Sequence, residues 1–193
     1  MSYHIYHTTA IVMHVTERGE SNIMVTLLTD TLGVIRATVQ NGRGVSSKHR
    51  YGLTLFSVAH IDVVQGKGAW RVIGVVPVRN DGFQLACDRR GIAMLSRAAG
   101  LVQRLVQGES PNKELFTEYL QTIEFVANNE LDQSTAQHVE SLLVLRTLFH
   151  LGYWENTDEA PWMVDALLST EVVGRVAEQH SQLVQKINAA LKE

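Results

Sequence analysis

Residues 17–56 restrict the choice of fold more than any other part of the chain. They contain two short runs rich in β-branched and apolar residues, 23–29 and 34–40, joined by a four-residue turn that ends at Gly33. Gly33 can adopt the positive φ that a tight hairpin turn needs. A polar, glycine-bearing loop over residues 41–51 follows the second run. The pattern predicts a β-hairpin with a long loop at its far end.

The second strand of this hairpin and the loop after it are basic. No Asp or Glu occurs between Asp30 and Asp62, whereas the same window holds Arg36, Arg43, Lys48 and Arg50. Paired strands with a cationic loop at one end suit a phosphate backbone. On charge alone, a solvated hairpin with an ordinary polar loop explains the pattern equally well.

Three further strand-like runs complete a set of five in the first 80 residues, at 10–15, 55–64 and 70–76. Glycine-bearing turns separate the runs, and Pro77 is predicted to end the sheet because it lacks the N–H that a strand ladder uses. Five short strands within this length indicate a small closed barrel. A five-stranded OB-fold barrel is the leading prediction, with an SH3-like barrel as the alternative.

Beyond residue 84 the apolar spacing becomes helical. Helices are predicted over residues 85–107, 112–128, 134–151, a short segment from Pro161, and 170–191, with Ser110, Ser134 and Thr170 as N-caps and Gly152 ending the third. The predicted class is α+β. Residues 1–80 form an OB-fold that is the candidate for DNA binding, and residues 81–193 form an all-α helical domain that is the candidate for protein interaction.

Charge is unevenly distributed along the chain. The net charge is −3, but residues 1–80 carry eight Lys and Arg against four Asp and Glu, whereas residues 81–193 carry nine against sixteen. The imbalance between the halves indicates two modules with different partners. Because the field of the whole molecule is weak, DNA binding would have to come from a local basic patch.

The sequence offers little for catalysis, metal binding or membrane insertion. Cys87 is the single cysteine, which excludes an intrachain disulfide and a cysteine-based zinc site and fits a reducing cytoplasm. The eight histidines are scattered without an HExxH spacing, and no nucleophile elbow or phosphate loop is present. We therefore expect a non-enzymatic protein without cofactor or metal, and rank a hydrolase built from scattered histidines and carboxylates far below. No signal peptide or apolar run of membrane-spanning length is found, so the expected location is cytoplasmic.

The remaining function class is binding. The cations that could line a groove, with one aromatic residue expected on the surface beside them, are Arg36, Arg43, Lys48, Arg50, Lys67, Arg71 and Tyr51. Phe56 and Trp70 could also stack on bases, but their apolar neighbours favour a place in the barrel core.

Several short motifs then occur in a familiar order: Gly19-Glu20-Ser21, Leu28-Thr29 through Gly33, Asn41-Gly42-Arg43 with Ser46-Ser47-Lys48, Leu53 to Phe56, Leu115-Phe116, Leu151-Gly152-Tyr153, and a last segment over 187–191. In this order the chain resembles the RecO family of bacterial recombination mediators. The similarity extends over nearly the full chain, although each motif is short.

The resemblance implies an OB-fold followed by a helical domain, and a cytoplasmic, nucleoid-associated role in recombinational repair. It implies binding of single- and double-stranded DNA, annealing of complementary strands, and help for RecA loading together with RecR. It also implies contact with the acidic, hydrophobic-ended tail of single-strand DNA-binding protein, for which Arg146 and Phe149 are the candidate residues. An interaction scaffold of the same pathway with little DNA binding is the alternative.

The chain also departs from the family pattern. Many family members carry a four-cysteine zinc module, which a chain with one cysteine cannot build. The helix before Leu151 lacks the usual Arg-x-Phe-Glu-Leu run, so that Arg146 is the remaining cation there. The loop over 41–50 is less basic than is usual in the family, which predicts modest and salt-dependent DNA affinity.

Overall fold

The computed structural model describes residues 4–42, 52–66, 68–80, 85, 88–106, 109–155 and 161–192. Within these residues five strands precede five helices: β1 Ile5–Arg18, β2 Asn22–Thr29, β3 Gly33–Val39, β4 Val58–Gln65, β5 Trp70–Arg79, α1 Arg89–Leu105, α2 Lys113–Asn128, α3 Gln133–His150, α4 Trp162–Asp165 and α5 Thr170–Ala190. This order confirms the predicted α+β class.

The chain divides into two compact units. One unit comprises Met1–Gln84 and Gln107–Phe116, and the other comprises Leu85–Val106 and Thr117–Glu193. The predicted division at residue 80 assigned residues 107–116 to the helical half, whereas the structure groups them with the barrel.

The five strands form a closed barrel in the order β1-β2-β3-β5-β4. Four of the strand pairs are antiparallel, and β3 pairs with β5 in parallel over Ala37 to Val39. A five-stranded barrel with this closure is an OB-fold, as predicted, and not the SH3-like alternative.

Alternating side chains fill the barrel. On β3, for example, Ile35, Ala37 and Val39 are buried while Arg36 is exposed. This alternation follows from the period of two in a strand and places every second residue on the outer face. Trp70 belongs to the same core, which confirms the core interpretation of that residue.

Strand β5 is longer than the sequence predicted. Pro77 lies opposite Ala59, and Arg79 lies opposite Val58, so Val78 is the extra residue of a bulge. Pro77 is exposed next to this irregularity, where a missing N–H is tolerated. The prediction that Pro77 ends the sheet was therefore wrong.

The turn between β2 and β3 confirms the role expected of Gly33. Its φ is +71°, in the region that favours glycine. A Cβ at this position would also overlap the backbone carbonyl of Ser110. The segment around Ser110 therefore approaches the turn as closely as a glycine allows.

In the helical unit α3 packs against α1, α4 and α5. The predicted caps were wrong by one or two residues, because the side chains that accept hydrogen bonds from the first-turn N–H groups are those of Asn112, Asp132 and Ser169. The predicted end of α3 is confirmed: Gly152 has φ +77°, and the N–H of Tyr153 bonds to the carbonyl of Leu148. None of the helices in these described ranges is long and apolar enough to cross a membrane.

Candidate nucleic-acid interface

A groove of about 470 Å³ lies at the end of the barrel where the β1–β2 turn meets the β4–β5 turn. This volume falls within the range of about 300–1,000 Å³ that is typical of ligand-binding clefts. The described residues that line the groove are Arg18, Asn22, Thr38, Gln40, Val64, Gly66, Ala69, Trp70 and Arg71.

The strand register explains why these residues meet. Arg18 and Asn22 face each other at the end of the β1–β2 hairpin. Thr38 on β3 lies opposite Arg71 on β5, in the parallel pair that closes the barrel. The Nη1 atom of Arg18 donates a hydrogen bond of 3.2 Å to Oγ1 of Thr38 and so joins the two sides of the groove.

The groove is cationic. Its lining includes the guanidinium groups of Arg18 and Arg71, both on exposed residues, and no Asp or Glu occurs among the lining residues that the structure describes. In OB-folds the loops between the first two and last two strands, with the adjacent strand face, bind oligonucleotides and oligosaccharides. The arrangement therefore favours an anionic chain as ligand.

Asn22 has a fixed orientation at the mouth of the groove. Its Oδ1 accepts a hydrogen bond of 3.1 Å from the backbone N–H of Asn41. Since a backbone N–H can bond only to an acceptor, the oxygen faces Asn41, and the amide –NH₂ is the part of Asn22 that a ligand can meet.

Trp70 forms part of the groove lining but presents little surface. Its relative exposure is 5%, and its Nε1 donates a hydrogen bond of 2.6 Å to Oε1 of Glu109. The ring also makes an edge contact with Tyr6, with 5.1 Å between the ring centres. Trp70 is therefore a rigid wall of the groove and not an open stacking platform.

Two of the cations predicted from the sequence can be located. Arg71 lines the groove, and Arg36 is exposed on the outer face of β3, two residues before Thr38 and on the same face of the strand. The other predicted DNA-binding residues lie outside the described part of the chain and stay predictions: Arg43, Lys48, Arg50, Tyr51 and Lys67.

Apart from Arg71, the sequence did not predict the polar residues of the lining, namely Arg18, Asn22, Thr38 and Gln40. A signal was available for the first two, because both flank the Gly19-Glu20-Ser21 turn, and an OB topology brings this turn to the same end as the β4–β5 turn. Thr38 and Gln40 depend on the β3–β5 register, which no local pattern encodes.

Arg146 requires a correction. It is fully buried, with its Nη1 2.9 Å from Oε1 of Glu118 and its Nε 2.7 Å from the carbonyl oxygen of Met163. Its Nη2 donates to the carbonyl of Ala166 at 2.5 Å. All three guanidinium nitrogens are occupied, so Arg146 fastens the segment around α4 to α2 and α3 and is not exposed to an acidic tail.

Phe149 lies half-buried near the C-terminal end of α3. Its ring makes edge contacts with His150 and Trp154, with centre-to-centre distances of 5.5 and 6.1 Å. The ammonium of Lys186 is 5.8 Å from the centre of the Trp154 ring. This aromatic cluster of Phe149, His150 and Trp154, with Lys186, combines apolar surface with a cation that the sequence alone did not associate with it.

The barrel, its cationic groove and the helical unit define the chain as an OB-fold protein with an added helical module. Residues 1–79 match the family model described as Recombination protein O N terminal. The chain belongs to the RecO family, which confirms the resemblance inferred from the motifs.

Curated relatives support this assignment. DNA repair protein RecO of Roseiflexus sp. (strain RS-1) is 32% identical over 120 residues, which cover 62% of this chain and 41% of that protein. DNA repair protein RecO of Dehalococcoides mccartyi is 30% identical over 136 residues, covering 68% and 50%. DNA repair protein RecO of Desulfitobacterium hafniense (strain Y51) is 27% identical over 150 residues, covering 77% and 52%. The chain thus spans about half the length of the curated relatives it matches.

Proposed function

We propose that this chain is a non-enzymatic DNA-binding protein of recombinational repair, which binds single- and double-stranded DNA and anneals complementary strands. The observation that carries the proposal is the cationic groove, in which Arg18 and Arg71 lie on either side of Thr38. The similarity to proteins named DNA repair protein RecO supports the same pathway.

Annealing follows from the chemistry of such a groove. Guanidinium groups neutralise backbone phosphates, which lowers the repulsion between two strands, and phosphate contacts carry no sequence information. Arg36 extends the basic surface along β3. We propose that the other predicted residues, which lie outside the described part of the chain, also contact DNA: Arg43, Lys48, Arg50, Tyr51 and Lys67.

The helical unit is proposed to serve protein partners. The aromatic cluster offers apolar surface beside the Lys186 ammonium, which suits the acidic, hydrophobic-ended tail of single-strand DNA-binding protein. Phe149 keeps its proposed role there, and Lys186 takes the place of the buried Arg146. Together with RecR, the chain would assist RecA loading in the cytoplasm, in association with the nucleoid.

The DNA-binding proposal is tested by fluorescence anisotropy of a labelled single strand across about 50 to 200 mM salt. The double variant Arg18→Gln/Arg71→Gln removes two phosphate contacts, so we expect weaker binding and a log–log salt slope shallower by about 1.4, at about 0.7 per contact on a single strand. Arg175→Gln is the matched control, since Arg175 is an exposed arginine on α5 that pairs with Glu171.

Unchanged affinity and slope in the double variant would remove the groove as the DNA site. Addition of the complementary labelled strand to the same samples then measures annealing, which the double variant should slow and the Arg175→Gln control should not.

An interaction scaffold with little DNA binding is the second candidate. It is favoured by the acidic character of residues 81–193, which carry nine Lys and Arg against sixteen Asp and Glu. If the wild-type chain fails to bind DNA at low salt but still forms a complex with RecR, the scaffold function replaces the first proposal.

A further inference from the structure

We infer that the described groove binds the sugar–phosphate backbone of DNA and does not hold its bases by stacking. This inference rests on the proposed function and makes it more specific, because it states which part of the nucleic acid the groove recognises. Many proteins that bind single strands combine a cationic track with aromatic side chains on which bases stack. The groove has the cationic track, but its described lining has no aromatic ring face that is accessible to a base.

The polar lining consists chiefly of hydrogen-bond donors. Arg18 and Arg71 each carry five N–H donors and no acceptor, and Gln40 adds an amide with both donors and an acceptor. The Asn22 oxygen is used by the Asn41 N–H, so Asn22 offers its –NH₂ to a ligand. Phosphate oxygens only accept hydrogen bonds, whereas base edges present both donors and acceptors. The donor excess therefore matches the backbone better than the bases.

The aromatic residue at this site is closed to stacking. Trp70 is 5% exposed, its indole N–H is used by Glu109, and Tyr6 meets its ring edge-on. A base could reach a face of the Trp70 ring only if the residue left the barrel core, to which it belongs. Among the described lining residues, none thus supplies a π-surface comparable to the platforms that hold bases in other OB-folds.

Such a groove predicts that its own contribution to affinity is independent of the bases. The test uses the Tyr51→Ala variant, which removes the aromatic side chain proposed for the rest of the DNA-binding surface. It compares binding to two labelled single strands of about 15 nucleotides, one of thymidines and one of abasic residues with the same backbone charge. We expect the two dissociation constants to agree within about threefold. A single stacked base would favour the thymidine strand by about 5- to 160-fold.

A second variant examines the donor argument without disturbing the fold. Asn22→Asp keeps an oxygen for the Asn41 N–H but replaces the –NH₂ donors with a negatively charged acceptor. We expect it to weaken binding of both strands by the same factor, about tenfold. Asn188→Asp, an exposed position on α5, makes the same change in the helical unit and should leave binding unaltered.

The outcomes are distinct. Binding of the abasic strand that is weaker than binding of the thymidine strand by about fivefold or more would overturn the inference while leaving the proposed function intact. Failure of the wild-type chain to bind either strand at low salt would overturn the proposed function, and this inference with it. An Asn22→Asp variant that binds both strands as tightly as wild type would also overturn the assignment of the backbone to this groove.

Discussion

Arg146 places a positive charge in the interior of the helical unit, where a lone cation would be costly. Glu118 provides the counter-charge, and the carbonyl oxygens of Met163 and Ala166 accept further N–H bonds. In the sequence Arg146 is simply an arginine on a leucine-rich helix, and nothing marks Glu118, 28 residues earlier, as its partner. The prediction that Arg146 contacts an acidic tail was therefore wrong, because it assumed that the side chain is exposed.

Replacing Arg146 with Met should destabilise the protein strongly, because it leaves the Glu118 carboxylate buried without a partner. We expect the free energy of unfolding to fall by about 3–5 kcal/mol, measured by urea denaturation. Arg97→Met is the control, since Arg97 pairs with Glu140 through a side chain that is 60% exposed, and such pairs are worth about 1 kcal/mol or less.

The double variant Glu118→Gln/Arg146→Met should regain part of the loss, because no uncompensated charge then remains in the interior. A single Arg146→Met variant as stable as the Arg97→Met control would contradict this prediction.

Among the structural elements, two strand turns use glycine for different reasons. Gly19, between β1 and β2, has φ +67° and open space around the position of a Cβ. Gly33, the first residue of β3, has nearly the same φ of +71°, but the backbone of Ser110 lies against it. Alanine substitutions at the two positions therefore separate two contributions to the free energy of unfolding. Both positions have the cost of a left-handed backbone, and only Gly33 has the added cost of steric overlap with Ser110.

We expect Gly19→Ala to lower the free energy of unfolding by about 1–2 kcal/mol, the cost of a left-handed conformation. Gly33→Ala should cost about 1–3 kcal/mol more, because the segment around Ser110 must also move. Thermal or urea unfolding of the two variants measures the difference. Equal losses in the free energy of unfolding of the two variants would show that the segment around Ser110 moves without a measurable cost.

The contact between α3 and α5 contains a histidine pair. The rings of His138 and His180 are 4.8 Å apart, and Nε2 of His180 lies 3.0 Å from Oγ of Ser141. Burial, and then the charge on His180, lower the pKa of His138 below its usual value of about 6.5, while Asp132 acts in the opposite direction. The charged groups at the neighbouring α1–α3 contact, Arg97 and Glu140, pair with each other.

Because the folded-state pKa of His138 is lower than the unfolded value, protonation favours the unfolded chain. The stabilisation is complete above about pH 6.5 and is lost as the pH falls below it. His138→Gln should therefore make the free energy of unfolding less dependent on pH over about pH 7.5 to 5.5. Asn188→Gln, at an exposed position on α5 without a titratable group, is the control and should leave the dependence unchanged.

For the whole molecule, local patterns predicted the fold well. Strand-like runs ending in glycine turns, and the change to helical spacing near residue 84, are each encoded within about ten residues. The groove was predicted only in part. The place of Arg71 and the exposure of Arg36 could be inferred from the sequence. The proximity of Arg18 and Thr38 could not, because these residues are 20 positions apart and are joined by a hydrogen bond between β1 and β3. Likewise, the N-caps of three helices differ by one or two residues from the predicted ones. Several neighbouring side chains could accept a hydrogen bond from the first turn, and only the backbone geometry selects among them.

The two units are not continuous in sequence, since the chain passes between them at residues 84–85, 106–107 and 116–117. A single junction directly after the last strand would therefore not exchange whole units between two relatives, because it would separate residues 107–116 from the barrel. A chimera that took residues 1–80 from one relative and the remainder from another would pair Trp70 and Gly33 of one parent with Glu109 and Ser110 of the other. Recombination between homologous genes should preserve function best when residues 109–116 are inherited together with the barrel.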